Sequence, residues 1–300
     1  MPGEQDSYRP RRGPRHLSLQ VRGLGVHLTR WGDPGAHDPP VVLLHGWEDA
    51  GESFQLMVDA FADDRPLLAP DWRGFGRSDW AAAGYWFHDY LADLDALLDR
   101  FSPDGPVRLV GHSMGGHIAS LYAGVRPARV RCLVNIEGLG VPRASSDGVP
   151  ARLRRWLDEV KSAPPARDYA SFGQLAASIR AHHPRLCDAR ADFLASAWGR
   201  LGADGRVRLK ADPRHRWVNP VPYHREDAEA CWRNIEAPML ILVGAESRYL
   251  RRLGADGEEA ALRRAFPRAE WIHVPDAGHL MHVECPERVA SLIEPFLRVH

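Results

Sequence analysis

Residues 111–115, Gly-His-Ser-Met-Gly, constrain the fold more than any other part of the chain. They lie between a short apolar run, residues 107–110, and a segment, residues 116–124, whose apolar residues recur at helical spacing. In a strand–turn–helix context, the pattern G-x-S-x-G predicts a nucleophile elbow. Such a turn strains the serine backbone, needs small neighbours and exposes the hydroxyl beside the first amides of the helix. The sequence therefore predicts that Ser113 lies exposed on a tight turn.

Strand-like and helix-like segments alternate on both sides of this turn. An unbroken apolar run such as residues 40–47 is typical of a central strand that is covered on both faces. Strands that alternate with helices form a parallel sheet with right-handed crossovers, so the sequence predicts an α/β fold. The predicted strands are a hairpin over 16–31 and segments 40–47, 65–71, 107–110, 130–137, 237–244 and 270–274; the predicted helices are 54–61, 85–101, 116–124, 258–266 and 284–299.

The alternation stops after residue 137 and resumes at residue 237. A segment of about a hundred residues is too long for a connecting loop, and we predict that residues 138–236 form a helical cap domain. The core then consists of residues 16–137 and 237–300, and residues 1–15, which are polar, basic and rich in proline, are predicted to be a disordered tail. Helix-like pieces within the cap segment are 151–162, 171–183 and 188–202.

Composition argues against several classes of partner. The formal net charge is +0, so no overall field favours nucleic acid or an anionic membrane, and no apolar run has the length of a membrane span. The sequence has neither a metal-ligand set nor a nucleotide motif, so we predict no cofactor, no metal and a small-molecule substrate, in a monomer or homodimer. The four cysteines are scattered along the chain: Cys132, Cys187, Cys231 and Cys285. We predict that they are reduced, mostly buried thiols of a cytoplasmic protein.

Three further motifs accompany the serine turn in a fixed order. They are His-Gly-Trp at 45–47, Asp-Trp-Arg-Gly-Phe-Gly-Arg-Ser-Asp at 71–79, and Asp-Ala-Gly-His at 276–279. Taken together, the four motifs resemble those of the α/β-hydrolase fold family, and the resemblance covers nearly all of the chain after residue 15. It implies an eight-stranded, mostly parallel sheet flanked by helices, with the cap closing over the elbow.

The resemblance also implies a role for each motif. A free serine hydroxyl is a poor nucleophile, so Ser113 needs a base within hydrogen-bond reach, and His279 is that base by its position after the last core strand. The backbone N–H groups of Trp47 and Met114 are expected to form the oxyanion hole. We expect Asp71 to form a structural salt link to Arg73 or Arg77.

The carboxylate that should orient His279 has two candidates. Most of the family carries an Asp in a Gly-x-x-Asp turn after the seventh core strand, but residues 244–247 read Gly-Ala-Glu-Ser here. Glu246 is one residue early and would otherwise be a solvated carboxylate near Arg248. Glu137, which would otherwise be a cap-hinge residue, ends the sixth strand, where a branch of the haloalkane dehalogenases has its acid. We favour Glu137, because it would emerge beside the elbow at the carboxyl edge of the sheet.

A serine nucleophile separates this chain from the epoxide hydrolases and dehalogenases, which use Asp. We predict a serine hydrolase that cleaves a small carboxylic ester, thioester or lactone through an acyl-enzyme. The alternatives are a C–C bond hydrolase of a β-diketone-like substrate, a cofactor-free perhydrolase, and a non-catalytic ligand-binding member of the fold. The arginine-rich segment 206–225 could bind an acidic substrate group.

Overall fold

The computed structural model describes residues 8–33, 39–143, 145–162 and 165–300, and an eight-stranded sheet is its central element. A separate sheet of three short strands lies between the sixth and seventh strands of the main sheet along the chain. The strands are β1 (Arg15–Val21), β2 (Leu24–Trp31), β3 (Val41–Leu44), β4 (Leu67–Pro70), β5 (Val107–His112), β6 (Val130–Ile136), β7 (Asp168–Tyr169), β8 (Gly199–Leu201), β9 (Val207–Leu209), β10 (Met239–Gly244) and β11 (Ala269–Val274).

The main sheet has the order β1-β2-β4-β3-β5-β6-β10-β11. Strand β2 pairs antiparallel with both β1 and β4, and all the remaining pairs are parallel. The predicted α/β class and the mostly parallel eight-stranded sheet are therefore confirmed. Because β5, β6 and β10 are parallel neighbours, their carboxyl ends meet at one edge of the sheet.

Helices cover both faces of the sheet, as its fully apolar strands require. Met239, Ile241 and Val243 of β10 belong to one apolar cluster, with side chains such as Leu94, Ile118, Trp232 and Leu262 from the helices on one face. Leu240 and Leu242 alternate with them and belong to a second cluster, with side chains such as Met57 and Ile293 from the helices on the other face. The helices are α1 (Gln55–Ala60), α2 (Phe87–Phe101), α3 (Met114–Val125), α4 (Val149–Lys161), α5 (Phe172–His182), α6 (Asp188–Trp198), α7 (Arg225–Arg233), α8 (Tyr249–Leu253), α9 (Glu259–Ala265), α10 (Met281–Glu284) and α11 (Pro286–Val299).

The segment between β6 and β10 is not purely helical. Strands β7, β8 and β9 form an antiparallel sheet in the order β7-β9-β8. The predicted helix over 188–202 is therefore wrong at its end: Gly199 has an extended backbone, and the chain turns at Gly205, which has φ +74°, to pair β8 with β9. That residues 138–236 act as a cap domain stays a prediction.

Helix α7 ends this segment and packs on α3 of the core layer. A Cβ atom at Gly124 of α3 would overlap the backbone carbonyl of Cys231 in α7. The two helices approach this closely because residue 124 has no side chain.

The amino-terminal segment departs from the predicted disordered tail of residues 1–15. Residues 1–7 lie outside the described residues, but residues 8–15 contact the core. The Asp59 carboxylate accepts hydrogen bonds from the amides of Arg11 and Arg12, both at 2.8 Å, and from the Tyr8 hydroxyl. These bonds fix a polar segment that has few apolar residues to bury.

The structure also bears on the predictions for the cysteines and for membrane spans. All four thiols are unpaired; Cys132 is buried, whereas Cys187 is exposed, so the prediction of mostly buried thiols is wrong for Cys187. Within the described ranges, no helix combines the length and the hydropathy needed to cross a membrane.

Candidate active site

The turn after β5 has the strained geometry that its sequence predicts. Ser113 has φ 50° and ψ −116°, a combination that a residue with a side chain rarely adopts. Its amide donates to the carbonyl of Ile136 at 2.8 Å, and its carbonyl accepts from the amide of His117 at 2.9 Å. A Cβ at Gly115 would overlap the carbonyl of Leu44, so the elbow packs against β3 only with a glycine there.

Three side chains form a continuous chain of hydrogen bonds at this turn. His279 Nε2 lies 3.0 Å from Ser113 Oγ, and His279 Nδ1 lies 2.6 Å from Glu137 Oε2. Ser113 follows β5, Glu137 follows β6 and His279 lies in the loop after β11. The other predicted acid, Glu246, is half exposed and forms an ion pair with Arg185. The structure therefore brings Glu137, and not Glu246, to the His279 ring.

Glu137 is fully buried and is held by groups from β10 and its following turn. Its Oε1 accepts a hydrogen bond from the Gly244 amide at 2.8 Å, and its Oε2 accepts one from Ser247 Oγ at 2.7 Å. Ser247 occupies the position where most of the family has the acid. The serine that made the pattern irregular therefore donates to a carboxylate that comes from the neighbouring strand.

Asn135 ties the end of β6 to the elbow helix. Its amide nitrogen donates to the carbonyls of Gly116 and Gly138 and to Ser120 Oγ, at 2.8 to 3.2 Å. Its side-chain oxygen accepts from the Gly138 amide at 2.6 Å. Glu137 lies between Asn135 and Gly138, so these four bonds fix the backbone that carries the carboxylate.

The loop after β3 reaches the elbow through a glycine. A Cβ at Gly46 would lie 2.9 Å from His112 Nδ1 and 3.2 Å from Ser113 Cβ, so this close approach needs residue 46 to lack a side chain. His45 holds the loop by donating from Nδ1 to the Gly46 carbonyl at 2.8 Å and by accepting the Trp72 amide on Nε2 at 2.9 Å. Both ring nitrogens of His45 therefore bond backbone groups.

The prediction of a salt link from Asp71 to Arg73 or Arg77 is wrong. Its carboxylate accepts from His27 Nδ1 and from the amides of Gly51 and Arg77, at 2.7 to 2.8 Å. The Arg73 guanidinium instead pairs with Asp93. Asp71 is buried within its own loop, so backbone amides reach it and long side chains do not.

Tyr249 is a component of the site that the sequence did not predict. Its ring stacks on the His279 imidazole, with centroids 5.2 Å apart and planes at 28°. Its hydroxyl accepts from the Leu139 amide at 3.0 Å and donates to the Gly140 carbonyl at 2.5 Å. One side chain thus contacts both His279 and the start of the segment that leaves the core.

A family model described as the alpha/beta hydrolase fold matches residues 39–286, which is most of the chain. The chain belongs to the α/β-hydrolase fold family. The family resemblance predicted from the four motifs is therefore confirmed, and the fold class with it.

Three relatives illustrate the breadth of this family. Lipase LipV of Mycobacterium tuberculosis is 29% identical over 286 residues, which cover 90% of this chain and 97% of LipV. A 2-hydroxymuconate semialdehyde hydrolase of Pseudomonas sp. strain CF600 is 27% identical over 299 residues, 96% of each chain. The thioesterase domain from the curacin biosynthetic pathway superposes with a TM-score of 0.83 and 26% identity, covering 94% of this chain and 99% of that domain. The family match and these relatives support hydrolytic activity for this chain.

Two cavities of this α/β hydrolase meet at Trp47, which lines both of them. The first has a volume of about 420 Å³ and contains Ser113 and His279; we name it the catalytic cavity. The second has a volume of about 340 Å³, includes Met114 in its wall and is otherwise lined mainly by aromatic and apolar side chains; we name it the aromatic cavity. Of the two predicted oxyanion residues, Trp47 therefore lies between the cavities and Met114 lies in the wall of the aromatic cavity.

Buried imidazoles lie behind the loop that carries His279. His112 Nε2 donates to the His279 carbonyl at 2.8 Å, and the His112 and His282 rings are 4.2 Å apart. Burial, with the nearby His279 and His183, lowers the pKa of His282 to about 3, and burial holds the pKa of His112 well below its usual range. Both rings are therefore neutral at pH 7.

Asp49 completes this buried group, and burial raises the pKa of its carboxyl. Ligand atoms of Asp49, His112 and His282 lie within 4.8 Å of one another, the one such grouping in the described part of the chain. However, Asp49 Oδ2 is 3.9 Å from His282 Nε2, whereas the ligands of tetrahedral zinc are about 3.3 Å apart. These side chains would have to close in before they could hold an ion.

Proposed function

We propose that this protein is a serine hydrolase that cleaves a small carboxylic ester, thioester or lactone through an acyl-enzyme. The observation that carries the proposal is the hydrogen-bonded chain from Ser113 through His279 to Glu137, with distances of 3.0 and 2.6 Å. A serine, an imidazole and a buried carboxylate in this order are the parts that acyl transfer to water requires. The chain of bonds opens into the catalytic cavity, where a substrate can reach Ser113 Oγ.

The first half of the reaction uses His279 as a base. With its Nδ1 proton donated to Glu137 Oε2, the ring leaves Nε2 free to take the proton of Ser113 Oγ as that oxygen attacks the carbonyl carbon. The carbonyl oxygen becomes negative, and the N–H groups of Trp47 and Met114 donate to it. His279 Nε2 then protonates the departing alcohol or thiol, and Ser113 keeps the acyl group.

The second half reverses these roles with water. His279 Nε2 takes a proton from a water molecule, whose oxygen attacks the acyl carbon, and returns it to Ser113 Oγ as the acid leaves. Glu137 stabilises the imidazolium that forms in both halves. Because the Gly244 amide and Ser247 Oγ hold this carboxylate, the ring keeps one orientation throughout the cycle.

A C–C bond hydrolase is the second candidate, favoured by the similarity to a 2-hydroxymuconate semialdehyde hydrolase along 96% of both chains. The same three side chains could serve such a reaction. Turnover of a β-diketone faster than of every ester would favour this candidate. The non-catalytic alternative is disfavoured by the 2.6 Å contact between Glu137 and His279.

The test is hydrolysis of p-nitrophenyl esters of graded chain length by the wild type, Ser113→Ala, Glu137→Gln and the control Glu246→Gln. In Glu137→Gln the new amide oxygen would accept from the Gly244 amide, which turns the NH₂ group towards His279 Nδ1. The proton then moves to His279 Nε2, which can no longer accept from Ser113. We expect a loss of kcat of about 10³- to 10⁴-fold, as for other wrong-tautomer variants.

Glu246→Gln should leave kcat within about twofold, because the pair with Arg185 is half exposed. Ser113→Ala should abolish turnover and the acyl-enzyme mass that a slow ester leaves on the wild type. Wild-type rates equal to those of Ser113→Ala on every ester would refute ester hydrolysis. A crippled Glu246→Gln beside an active Glu137→Gln would refute the assignment of the acid.

A further inference from the structure

The two cavities that share Trp47 differ in the charged side chains that line them, and this difference bears on the substrate. The catalytic cavity has four carboxylate or guanidinium side chains in its wall, beside polar, aromatic and apolar ones: Glu48, Asp49, Arg167 and Arg252. The aromatic cavity is walled by residues such as Trp86, Phe87, Trp156 and Trp217. Ser113 lines the catalytic cavity and its neighbour Met114 lines the aromatic cavity, so a substrate bound at Ser113 that extends into both would present a charged end to the first and an apolar end to the second.

The acidic groups of the catalytic cavity are already engaged. Glu48 Oε1 accepts a hydrogen bond from Arg216 Nε at 2.8 Å and forms an ion pair with Arg216 Nη2 at 2.7 Å. Asp49 accepts from Trp198 Nε1 at 2.6 Å and from the Ala50 amide at 2.8 Å, and its burial raises its pKa. Neither carboxylate is therefore available to balance a further cation in the cavity.

Two arginines of the same cavity have no such partner. Arg167 and Arg252 both line it, and neither forms an ion pair with a carboxylate in the described ranges. Arg252 follows Tyr249 by three residues in α8, so it lies on the face of that helix that meets His279. Arg167 precedes Tyr169 by two residues, so both side chains project to the same side of the chain entering β7.

The arginines of segment 206–225 differ in this respect. Arg206 and Arg208 pair with Asp168, and Arg214 pairs with Asp212. These three guanidinium groups are therefore already paired with carboxylates. This pairing argues against the sequence-based hypothesis that the segment binds an acidic substrate group. The cationic surface of the cavity comes from Arg167 and Arg252 instead.

The position of His279 decides which end of the substrate enters which cavity. The general acid has to reach the leaving group, and His279 lines the catalytic cavity, whereas Met114 lines the aromatic one. We infer that the substrate is an ester or thioester whose leaving group carries a carboxylate bound by Arg167 and Arg252, and whose acyl group is aromatic or otherwise bulky and apolar. This inference rests on the proposed function. Guanidinium groups bind carboxylates in a planar, bidentate manner, which suits this role.

The charge requirement is tested with two esters of 3-phenylpropanoic acid that differ in one group. One is the ester of 4-(hydroxymethyl)benzoic acid, and the other is the ester of 4-(hydroxymethyl)benzamide, which has nearly the same size and no charge. The enzymes are the wild type, Arg167→Gln, Arg252→Gln and the control Arg251→Gln. Arg251 is an exposed neighbour of Arg252 that does not line the cavity.

We expect the wild type to prefer the carboxylate ester about tenfold in kcat/KM, which corresponds to one charge-assisted contact. Arg167→Gln and Arg252→Gln should each raise KM for that ester several-fold and change the benzamide ester by less than about twofold. Sodium chloride at 0.5 M should weaken only the carboxylate ester. Arg251→Gln should behave as the wild type.

Equal wild-type rates on both esters, or equal losses on both esters in Arg167→Gln and Arg252→Gln, would overturn the inference. If the benzamide ester is hydrolysed in a Ser113-dependent manner without this preference, the proposed function stands and the inference alone fails. If neither ester is turned over faster than by Ser113→Ala, the proposed function fails and the inference falls with it.

The acyl half of the inference is tested with the acetate ester of the same carboxylated alcohol. Trp156→Ala opens the wall that α4 contributes to the aromatic cavity, and Trp80→Ala, which lines neither cavity, is its control. We expect Trp156→Ala to lower kcat/KM about tenfold for the phenylpropanoate ester and about twofold or less for the acetate ester. Equal losses on the two esters would assign Trp156 a structural role only.

Discussion

His117 should make this protein sensitive to acid, and the size of the effect can be worked out from its surroundings. The ring lies in α3, is 5% exposed and packs against Phe87, Tyr223 and Trp232 at centroid distances of 5.0 to 5.6 Å. Neither ring nitrogen has a hydrogen-bond partner among the described residues. Burial, together with the nearby Arg225 charge, lowers the pKa of His117 to about 3.

The sign of the effect follows from the two states. An unfolded chain protonates this histidine below its usual pKa of about 6.5, whereas the folded chain does not protonate it until the pH approaches 3. The free energy of unfolding therefore falls as the pH drops below about 6.5, and the stabilisation is fully present above that value. At pH 5 the loss from His117 alone amounts to about 2 kcal/mol.

The assay is urea unfolding followed by tryptophan fluorescence at pH 7.5 and pH 5.0. His117→Leu has a similar volume and no titrating group, so its stability at pH 7.5 should lie within about 1.5 kcal/mol of the wild type. Between pH 7.5 and 5.0 the wild type should lose about 2 kcal/mol more than His117→Leu. The exposed His88 provides the control, because His88→Gln should keep the wild-type slope. Identical losses in wild type and His117→Leu would refute the reasoning.

Three further substitutions probe how the acid and the elbow helix are held. Ser247→Ala removes one of two outside donors to Glu137 and should lower kcat about tenfold; an unchanged kcat would contradict its role. Asn135→Ala leaves buried amide and carbonyl groups unpaired and should cost at least about 2 kcal/mol of unfolding free energy, with reduced kcat. Gly124→Ala should cost at least about 2 kcal/mol by pushing α3 from Cys231, and a stable variant would show that the helices can separate.

Much of the core could be predicted because its signals are local. The run predicted as a strand at residues 40–47 starts with five apolar residues, and β3 forms within it, over Val41–Leu44, as a fully buried strand. The predicted start of α2 at residue 85 is two residues early. Trp86 has an extended backbone and the Tyr85 hydroxyl bonds Asp212, 127 residues away, so a tertiary contact decides that boundary.

The short strands between β6 and β10 could not be predicted in the same way. Strands of two or three residues, such as β7 at Asp168–Tyr169, are too short to display a period. The pairing of β7 depends on partners 38 to 40 residues away, as between Asp168 and Arg208. The sequence indicated a helix over β8 and no element at β7 or β9, and so it missed the sheet.

The residues of the candidate site also differ in how far the local sequence predicts them. Ser113 and His279 lie in recognisable motifs, so their positions could be read before any coordinates. The sequence also favours Glu137 over Glu246, because Glu137 ends the sixth strand. It does not predict that Ser247 donates to Glu137, since these two residues meet only across the sheet. The pair Arg167 and Arg252 carries no local signal at all, since residues 85 positions apart meet only when the chain folds.

The two hydrogen bonds of the Tyr249 hydroxyl indicate where the junction of a chimeric protein should be placed. It clamps Leu139 and Gly140 to the core directly after Glu137, so the first residues beyond the acid belong to the rigid part of the molecule. A chimera that exchanges the segment before β10 should therefore be spliced after Gly140. A junction placed at residue 137 would remove Gly138, which Asn135 holds, and would loosen the acid together with the transplanted piece.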